Sequence, residues 1–460
     1  MRFAQHGNSA RTTARFGCNF GLLTVLLCCH PLSAQVTNTN IYPIDLPTAL
    51  RLAGAQNLDV QIARERLREA EANRASALEQ FFPWLSPGIG YHRRDGVAQA
   101  VPSGVISDAH YQSYSPGATL AAQVPLGDAI YNSLASRQLV NASDHAFQAQ
   151  RQDSTFDAAK AYFDLAKAKA IIEVEKETLA ISQDYQHQLH TAVALGIAFK
   201  GDELRVQTQS KQIEITLRQA LEQQRQAGVT LALVLHLDPK LELLPDQTGL
   251  AQLTLFKPEP ALESLVARAL AARPELKQSQ AQLLAAHDAN QGAVYGPLIP
   301  TLGGQVFGGG FGGGPDGGPG NFGAAGDYTV GLSWRIGPGG LFDSGRVHAN
   351  RARLEAAKLG EEKLKDVITS EVVSSLVRVQ SLREQLDLVE ANLSSANETL
   401  RLTRERKQFG VGVVVEDIQA QQDLERARAD YVRAIAEYNT AQFRLSRAVG
   451  GTTGSVSTAK

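Results

Sequence analysis

Cysteine is almost missing from this chain. The three that occur among 460 residues, Cys18, Cys28 and Cys29, sit close to the N-terminus. The rest therefore has no thiol, no disulfide and no cysteine-ligated metal site. An excess of one charge is missing too. Lys and Arg number 45 against 47 Asp and Glu, a formal charge of −2, and no basic cluster of useful size lies beyond the first residues. That argues against a nucleic-acid partner. No Ser/His/Asp, paired-acid or Cys/His constellation stands out, so an enzyme is not expected and no cofactor is called for. Gly308–Gly320 contains GxGxxG-like spacings, but no Lys-Ser/Thr follows and no helix opens after it, which argues against phosphate binding. His187 and His190 share a helix-like spacing without a third metal ligand nearby.

Residues 1–34 have the layout of a secretory signal peptide: Arg2, Arg11 and Arg15 without an acid, an apolar core from Phe20 to Cys29, then Leu32-Ser33-Ala34 before a cut. That apolar run is short for a membrane span. Cys28 and Cys29 follow residues larger than the small one a lipoprotein cleavage site prefers. All three cysteines leave with the leader.

Proline is absent from two long arms that organise the C-terminal half. In the outgoing arm Val372, Val379, Leu382, Leu386, Val389, Leu393, Ala396 and Leu400 form an apolar row whose steps alternate three and four from Val379 onward. Such a seven-residue repeat presents one continuous seam to a partner helix. The returning arm repeats the pattern at Leu424, Ala427, Tyr431, Ala434, Tyr438, Ala441 and Leu445, and Val432, Ile435, Ala436 and Phe443 add a second apolar surface. Between the arms, Phe409-Gly410-Val411-Gly412 supplies the glycines a reversal needs.

The order of elements repeats. Residues 35–245 read as helix (Leu46 to about Gln80), strands near 85–94 and 113–124, long helix, a tip at 193–203, and a returning helix. A proline-bearing, unpatterned connector spans Pro239 to Pro260, with 246–260 its core. Residues 261–450 read the same way: helix (Ala261–Asn290), strands at 301–307 and 327–336, long helix, a tip at 408–414, and a returning helix, before a tail at 451–460. Gly308–Gly326 reads as a flexible exposed loop. Gly196 falls on Gly410 and Asp202 on Glu416. A period of this kind fixes architecture more firmly than any single motif. The expected class is mostly α with a small β part, built from a duplicated helix–strand–strand–helix repeat.

The strand at 327–336 alternates strictly, with Tyr328, Val330, Leu332, Trp334 and Ile336 on one face. Ten such residues are enough to cross a bilayer as a tilted strand. A half-buried strand in a soluble sheet is the commoner alternative, but the chain offers no second layer to cover that face. In lipid, strands cross only as closed barrels, and four cannot close where the smallest barrels need eight. Several copies would have to pool their strands.

With these features the chain resembles the TolC-like outer-membrane efflux protein family. Ala55-Gln56-Asn57-Leu58-Asp59-Val60 and Ala271-Ala272-Arg273-Pro274-Glu275-Leu276 are similar to its first-helix motif, Ala161-Tyr162-Phe163-Asp164-Leu165 to its long-helix motif, and Phe409-Gly410-Val411-Gly412 followed by Glu416-Asp417-Ile418 to its last turn. The resemblance implies a homotrimer in outer-membrane lipid. Its twelve-stranded transmembrane β-barrel would be shared by three chains and continue into a long coiled-coil α-barrel in the periplasm. It implies a passive exit duct of a tripartite efflux or type I secretion system, working with a periplasmic adaptor protein and an inner-membrane pump of RND or ABC type. By position, Glu416, Gln419 and Asp202 match the family's periplasmic gate, with Gln419 where a second acid often stands and Gly412 where a bridging base can occur. Leu195, Gly196 and Ile197, with Phe409, Gly410 and Val411, match the tips that contact the adaptor.

Two plainer readings stand beside these. Asp202 and Glu416 each open a helix, where an acid is favoured by free N–H groups and the dipole alone. A non-conducting periplasmic coiled-coil scaffold or adhesin stalk is the alternative to a duct, and it requires the Tyr328–Ile336 face to be soluble.

Overall fold

A computed structural model of the chain describes residues 41–99, 103–246, 249–256, 261–315, 321–408 and 414–451. The leader, the tail from 452, and the tip residues Phe409, Gly410 and Val411 lie outside that set. In chain order the elements are β1 (Ile41–Ile44), α1 (Leu46–Gln56), α2 (Leu58–Glu79), β2 (Trp84–Gln99), β3 (Ile106–Pro125), α3 (Leu126–Ala194), α4 (Lys200–Leu235) and β4 (Glu242–Pro245). Then follow α5 (Leu262–Ala272), α6 (Pro274–Tyr295), a short 3-10 turn at Gly296–Leu298, β5 (Thr301–Pro315), β6 (Asn321–Ser333), α7 (Ser344–Gln408) and α8 (Val414–Ala448).

Each opening helix is broken where the sequence pattern reads one continuous helix. Asn57 stands between α1 and α2 with ψ 133°, and its Oδ1 accepts from Asp59 N at 2.8 Å while Nδ2 donates to Val234 O at 2.9 Å. The amide thus caps α2 and anchors it to α4. Arg273 takes the same place between α5 and α6. Pro274 dictates that break, because proline drives the preceding residue out of the α region. The stretch read as unpatterned also contains structure: β4 pairs in parallel with β1, Ile41 beside Glu242 through Ile44 beside Pro245. Beyond it, Leu253 N donates to Asn439 Oδ1 at 2.9 Å and Asn439 Nδ2 donates to Ala251 O at 2.8 Å, so a buried asparagine of α8 holds the connector.

The four long strands make one antiparallel sheet in the order β2-β3-β5-β6. They are longer than alternation alone indicates, at 16, 20, 15 and 13 residues. The largest correction concerns the glycine-rich stretch, which is mostly strand and not loop: β5 continues to Pro315 and β6 begins at Asn321. Glycine is poor in strands because it forfeits entropy and packing, yet here it makes room. A Cβ on Gly309 would lie 2.3 Å from Pro116 O, and one on Gly310 would lie 2.3 Å from the Phe322 ring. The strand expected at 327–336 ends at Ser333. Trp334 and Ile336 lie past the ladder, Ile336 in an isolated bridge to Leu341.

Helices continue the strands. α3 packs on α2 and α6, and α6 packs on α7, so the helix row α2-α3-α6-α7 follows the strand row β2-β3-β5-β6. Among the described residues the two rows end together, β2 with α2 at one side and β6 with α7 at the other. α4 also packs on α3, and α8 on α3 and α7. At about 1.5 Å per residue, the 69 residues of α3 and 65 of α7 extend roughly 100 Å each. The heptad seam is buried: Val372, Val379, Leu382 and Leu386 of α7 share a core with Ala434, Tyr438, Ala441 and Leu445 of α8. Phe443 faces the other way, into the core formed by α1, α3 and α4 around Tyr162, Phe163 and Leu231. One helix therefore cements both repeats.

Candidate functional site: the sheet faces and the helical tips

Residues directly opposite in an antiparallel ladder point to the same face. The register therefore sorts the sheet into two surfaces. One carries Leu85, Ile89 and Tyr91 of β2, Leu120 of β3, Val306 of β5, and Phe322, Tyr328, Val330 and Leu332 of β6. All nine are exposed in the single chain, Tyr328 at 82% and Ile89 at 82%. From Leu332 to Phe322 the strand rises roughly 33 Å, or about 25 Å vertically at the tilt of membrane barrels. The upper limit is an aromatic row, Tyr91–Tyr114–Gly312–Phe322, with the two tyrosine rings 5.3 Å apart. Just beyond it, Asp95 pairs with Arg93 Nε at 2.7 Å and His110 Nδ1 at 3.2 Å. An apolar band of bilayer height, bordered by aromatics and then by charge, is the surface such a strand presents to lipid.

The opposite face carries Ser86, His92, Arg94, Ser113, Thr119, Gln305, Asp327 and Thr329 among many glycines, with Trp84, Tyr111, Phe307 and Phe311 as aromatic members. Trp334, at the foot of the apolar face, is 54% exposed and donates its Nε1–H to Leu298 O at 3.2 Å.

At the far end of the helices, Gly196 closes the first tip with φ +73°, and Ile197 N donates to Ala192 O at 2.9 Å. Leu195, Ile197 and Phe199 project from that turn, 69%, 78% and 74% exposed. Asp202 lies in the first turn of α4, whose N-cap Phe199 makes no side-chain cap bond, and it stands 3.7 Å from Arg205. Glu416 occupies the first turn of α8, half-exposed, with Arg406 of α7 at 3.4 Å. Gln419 follows it, exposed.

The two tips meet. Tyr185 and Leu189 of α3 and Val206 of α4 form a small core joined by Val414 and Ile418 of α8. Burial, then the charges of Asp417 and Asp202, push the Tyr185 hydroxyl above its ordinary range. Asp417 is buried beside Gln421, whose Nε2 donates to its Oδ2 at 3.3 Å. Glu203, also buried, accepts from Lys200 Nζ at 2.6 Å and His190 Nδ1 at 2.9 Å, and these bonds hold its carboxyl below the usual range. His190 is thus paired with a carboxylate, and no metal-holding group of three or more His, Cys, Asp or Glu exists among the described residues. Tyr185 and Glu203 escape the sequence reading, which takes in Asp417 only within the last-turn motif, and only the spacing of Lys200 to Glu203 hints at a pair.

No described helix is long and apolar enough to cross a membrane. A family model described as outer membrane efflux protein matches residues 49–235 and 265–451, two segments of equal length that cover most of the chain. The outer membrane protein OprJ of Pseudomonas aeruginosa is 25% identical over 332 residues, an alignment spanning 69% of this chain and 65% of that protein's own length. Solved structures share the fold. The Campylobacter jejuni CmeC outer membrane channel superposes with a TM-score of 0.74 at 17% identity, over 88% of this chain and 85% of that one. A membrane protein from Pseudomonas aeruginosa gives 0.74 at 20% identity, over 88% and 93%. VceC of Vibrio cholerae gives 0.72 at 17%, over 88% and 96%. The chain belongs to the outer membrane efflux protein family, whose place is the outer membrane.

Proposed function

We propose that the protein is a passive exit duct. Three copies join their open sheets edge to edge, β6 of one to β2 of the next, into a twelve-stranded barrel in the outer membrane. The matching free edges of α2 and α7 join in the same way, so the helices prolong the bore into the periplasm. The observation that carries this reading is the four-stranded sheet itself: it has two unpaired edges and one apolar face of bilayer height. An exposed apolar band is costly in water and unpaired backbone is costly in lipid, and closure within the bilayer removes both costs.

Within that duct the helical tips form the periplasmic entrance. Glu416, Gln419 and Asp202 restrict it, and Tyr185 and Asp417 hold the two tips against each other behind them. The exposed Leu195, Gly196 and Ile197, together with Phe409, Gly410 and Val411, dock a periplasmic adaptor, which joins the duct to an inner-membrane pump. The relatives' printed names, outer membrane channels and an outer membrane efflux family, support export as the task.

Reconstitution of the purified mature protein into planar bilayers tests the duct. Stepwise ion currents are expected. A protein that stays monodisperse without detergent and never conducts would contradict it. For the entrance, Glu416→Ala is expected to raise conductance and weaken divalent-cation block, and unchanged values of both would remove Glu416 from the gate.

A further inference from the structure

The polar face of the sheet holds a group of side chains that the duct reading leaves unexplained. Phe307 of β5 is directly opposite Asp327 of β6, and the same row continues through Thr119 to Ser86. Paired Cβ atoms of this kind lie about 5 Å apart. One row toward the helices, Thr329, Gln305 and Ala121 lead to Trp84. Two rows the other way, Gly323 pairs with Phe311. Glycine surrounds the aromatic rings. A Cβ on Gly117 would stand 2.6 Å from Phe307 Cε2, and one on Gly309 would stand 3.0 Å from its Cζ. The Phe307 ring therefore lies against bare backbone, and the residue is partly exposed. Phe311 and Trp84 are 55% and 51% exposed.

The charge pattern is as selective as the shape. On the rows from Gly331 to Gly323, Asp327 is the only ionisable side chain, and no lysine or arginine pairs with it among the described residues. An exposed carboxylate on the strand next to an aromatic residue offers a cation two attractions, one to the charge and one to the ring's negative face. Neighbouring aromatic surface stacks with an apolar body. An anion of the same shape is repelled by Asp327.

We propose that Asp327 and Phe307, with Phe311 and Trp84 on the same face, form a contact site in the bore for organic cations that carry an aromatic body. The site rests on the duct reading, which makes this face the inner wall and repeats it three times about the axis. It gives the barrel a preference among solutes where a glycine-lined wall alone would have none.

The test is current block of the reconstituted full-length mature protein, with probes added on the barrel side. Benzyltrimethylammonium carries charge and ring, tetramethylammonium the charge alone, and benzenesulfonate the ring with opposite charge. Benzyltrimethylammonium is expected to block at about tenfold lower concentration than either of the others. Asp327→Asn, which is isosteric, and Phe307→Leu, which stays apolar but removes the ring, are each expected to reduce that advantage to about threefold or less. Equal block by the three probes, or an advantage unchanged in both variants, would overturn the site and leave the duct standing. A protein that never conducts would overturn the duct and the site with it.

Discussion

Arg346 Nη2 donates to Asp128 Oδ1 at 2.8 Å, joining residues 218 positions apart, and the same nitrogen donates to Gly292 O at 2.8 Å. The first turn of α7 is thereby tied to the first turn of α3 and to the end of α6, at the level where strands give way to helices. Asp343 fixes the arginine from below, accepting Arg346 N at 3.0 Å and Gly339 N at 3.1 Å. The pair is partly exposed, 28% and 41%, so its charge attraction is screened and the carbonyl bond matters as much. Arg346→Ala is expected to cost about 1–2 kcal/mol in thermal unfolding followed by far-UV circular dichroism. No change in midpoint would show that the junction is held by packing alone.

A closer contact at the same junction is more demanding. A Cβ on Gly127 would sit 2.0 Å from Gly296 O, against backbone that has no room to yield. Gly127→Ala should therefore destabilise by about 2–3 kcal/mol or abolish assembly. Gly54→Ala is the contrasting case: it lies inside α1, and its Cβ would meet only side-chain atoms at 3.7 and 3.9 Å. It should stabilise by about 0.5–1 kcal/mol, because alanine loses less entropy in a helix. Reversal of that order would refute the packing described.

Glu175 of α3 gives the helices a pH dependence. Its side chain is 3% exposed, and burial, reinforced by the charge of Glu425 of α8, pushes it up to about 7. Nearby Arg428 is engaged by Glu177 at 3.0 Å. The folded chain holds this proton more tightly than the unfolded chain does. Its stabilising contribution is complete below the ordinary carboxylate range and is lost as pH rises through about 7. Stability should fall between about pH 4.5 and about pH 7 by an amount on the order of 3 kcal/mol. Glu175→Gln should flatten that slope, and a slope that survives the change would place its origin elsewhere.

Phe443 tests whether α8 joins the repeats. It is fully buried, and its ring centroid lies 5.5 Å from that of Phe163. Phe443→Ala should cost about 3–5 kcal/mol, read as a lower denaturant midpoint at unchanged slope. A loss below about 1 kcal/mol would mean the core collapses to fill the space.

Much of this was legible in the sequence because periodicity reports burial directly. The alternating steps from Val379 to Leu400 and the row from Leu424 to Leu445 mark seams that are buried as read. Strand length was not legible, since alternation fades where Gly308, Gly310 and Gly312 have no side chain to alternate, and only the ladder shows that they pair. The break at Arg273 carried its proline, yet the one at Asn57 depends on an amide that reaches Val234 across 177 residues. Among the tip residues, Glu416 and Asp202 were visible as acids opening helices. The Tyr185–Val206 core behind them joins three helices and has no local signature.

The central claim is that an open four-stranded sheet is completed by copies of itself. Native mass spectrometry of the mature protein released from detergent tests it most directly. Three chains held together, with no stable species of another size, is the predicted spectrum. A lone chain that persists at every concentration and needs no detergent would contradict the claim.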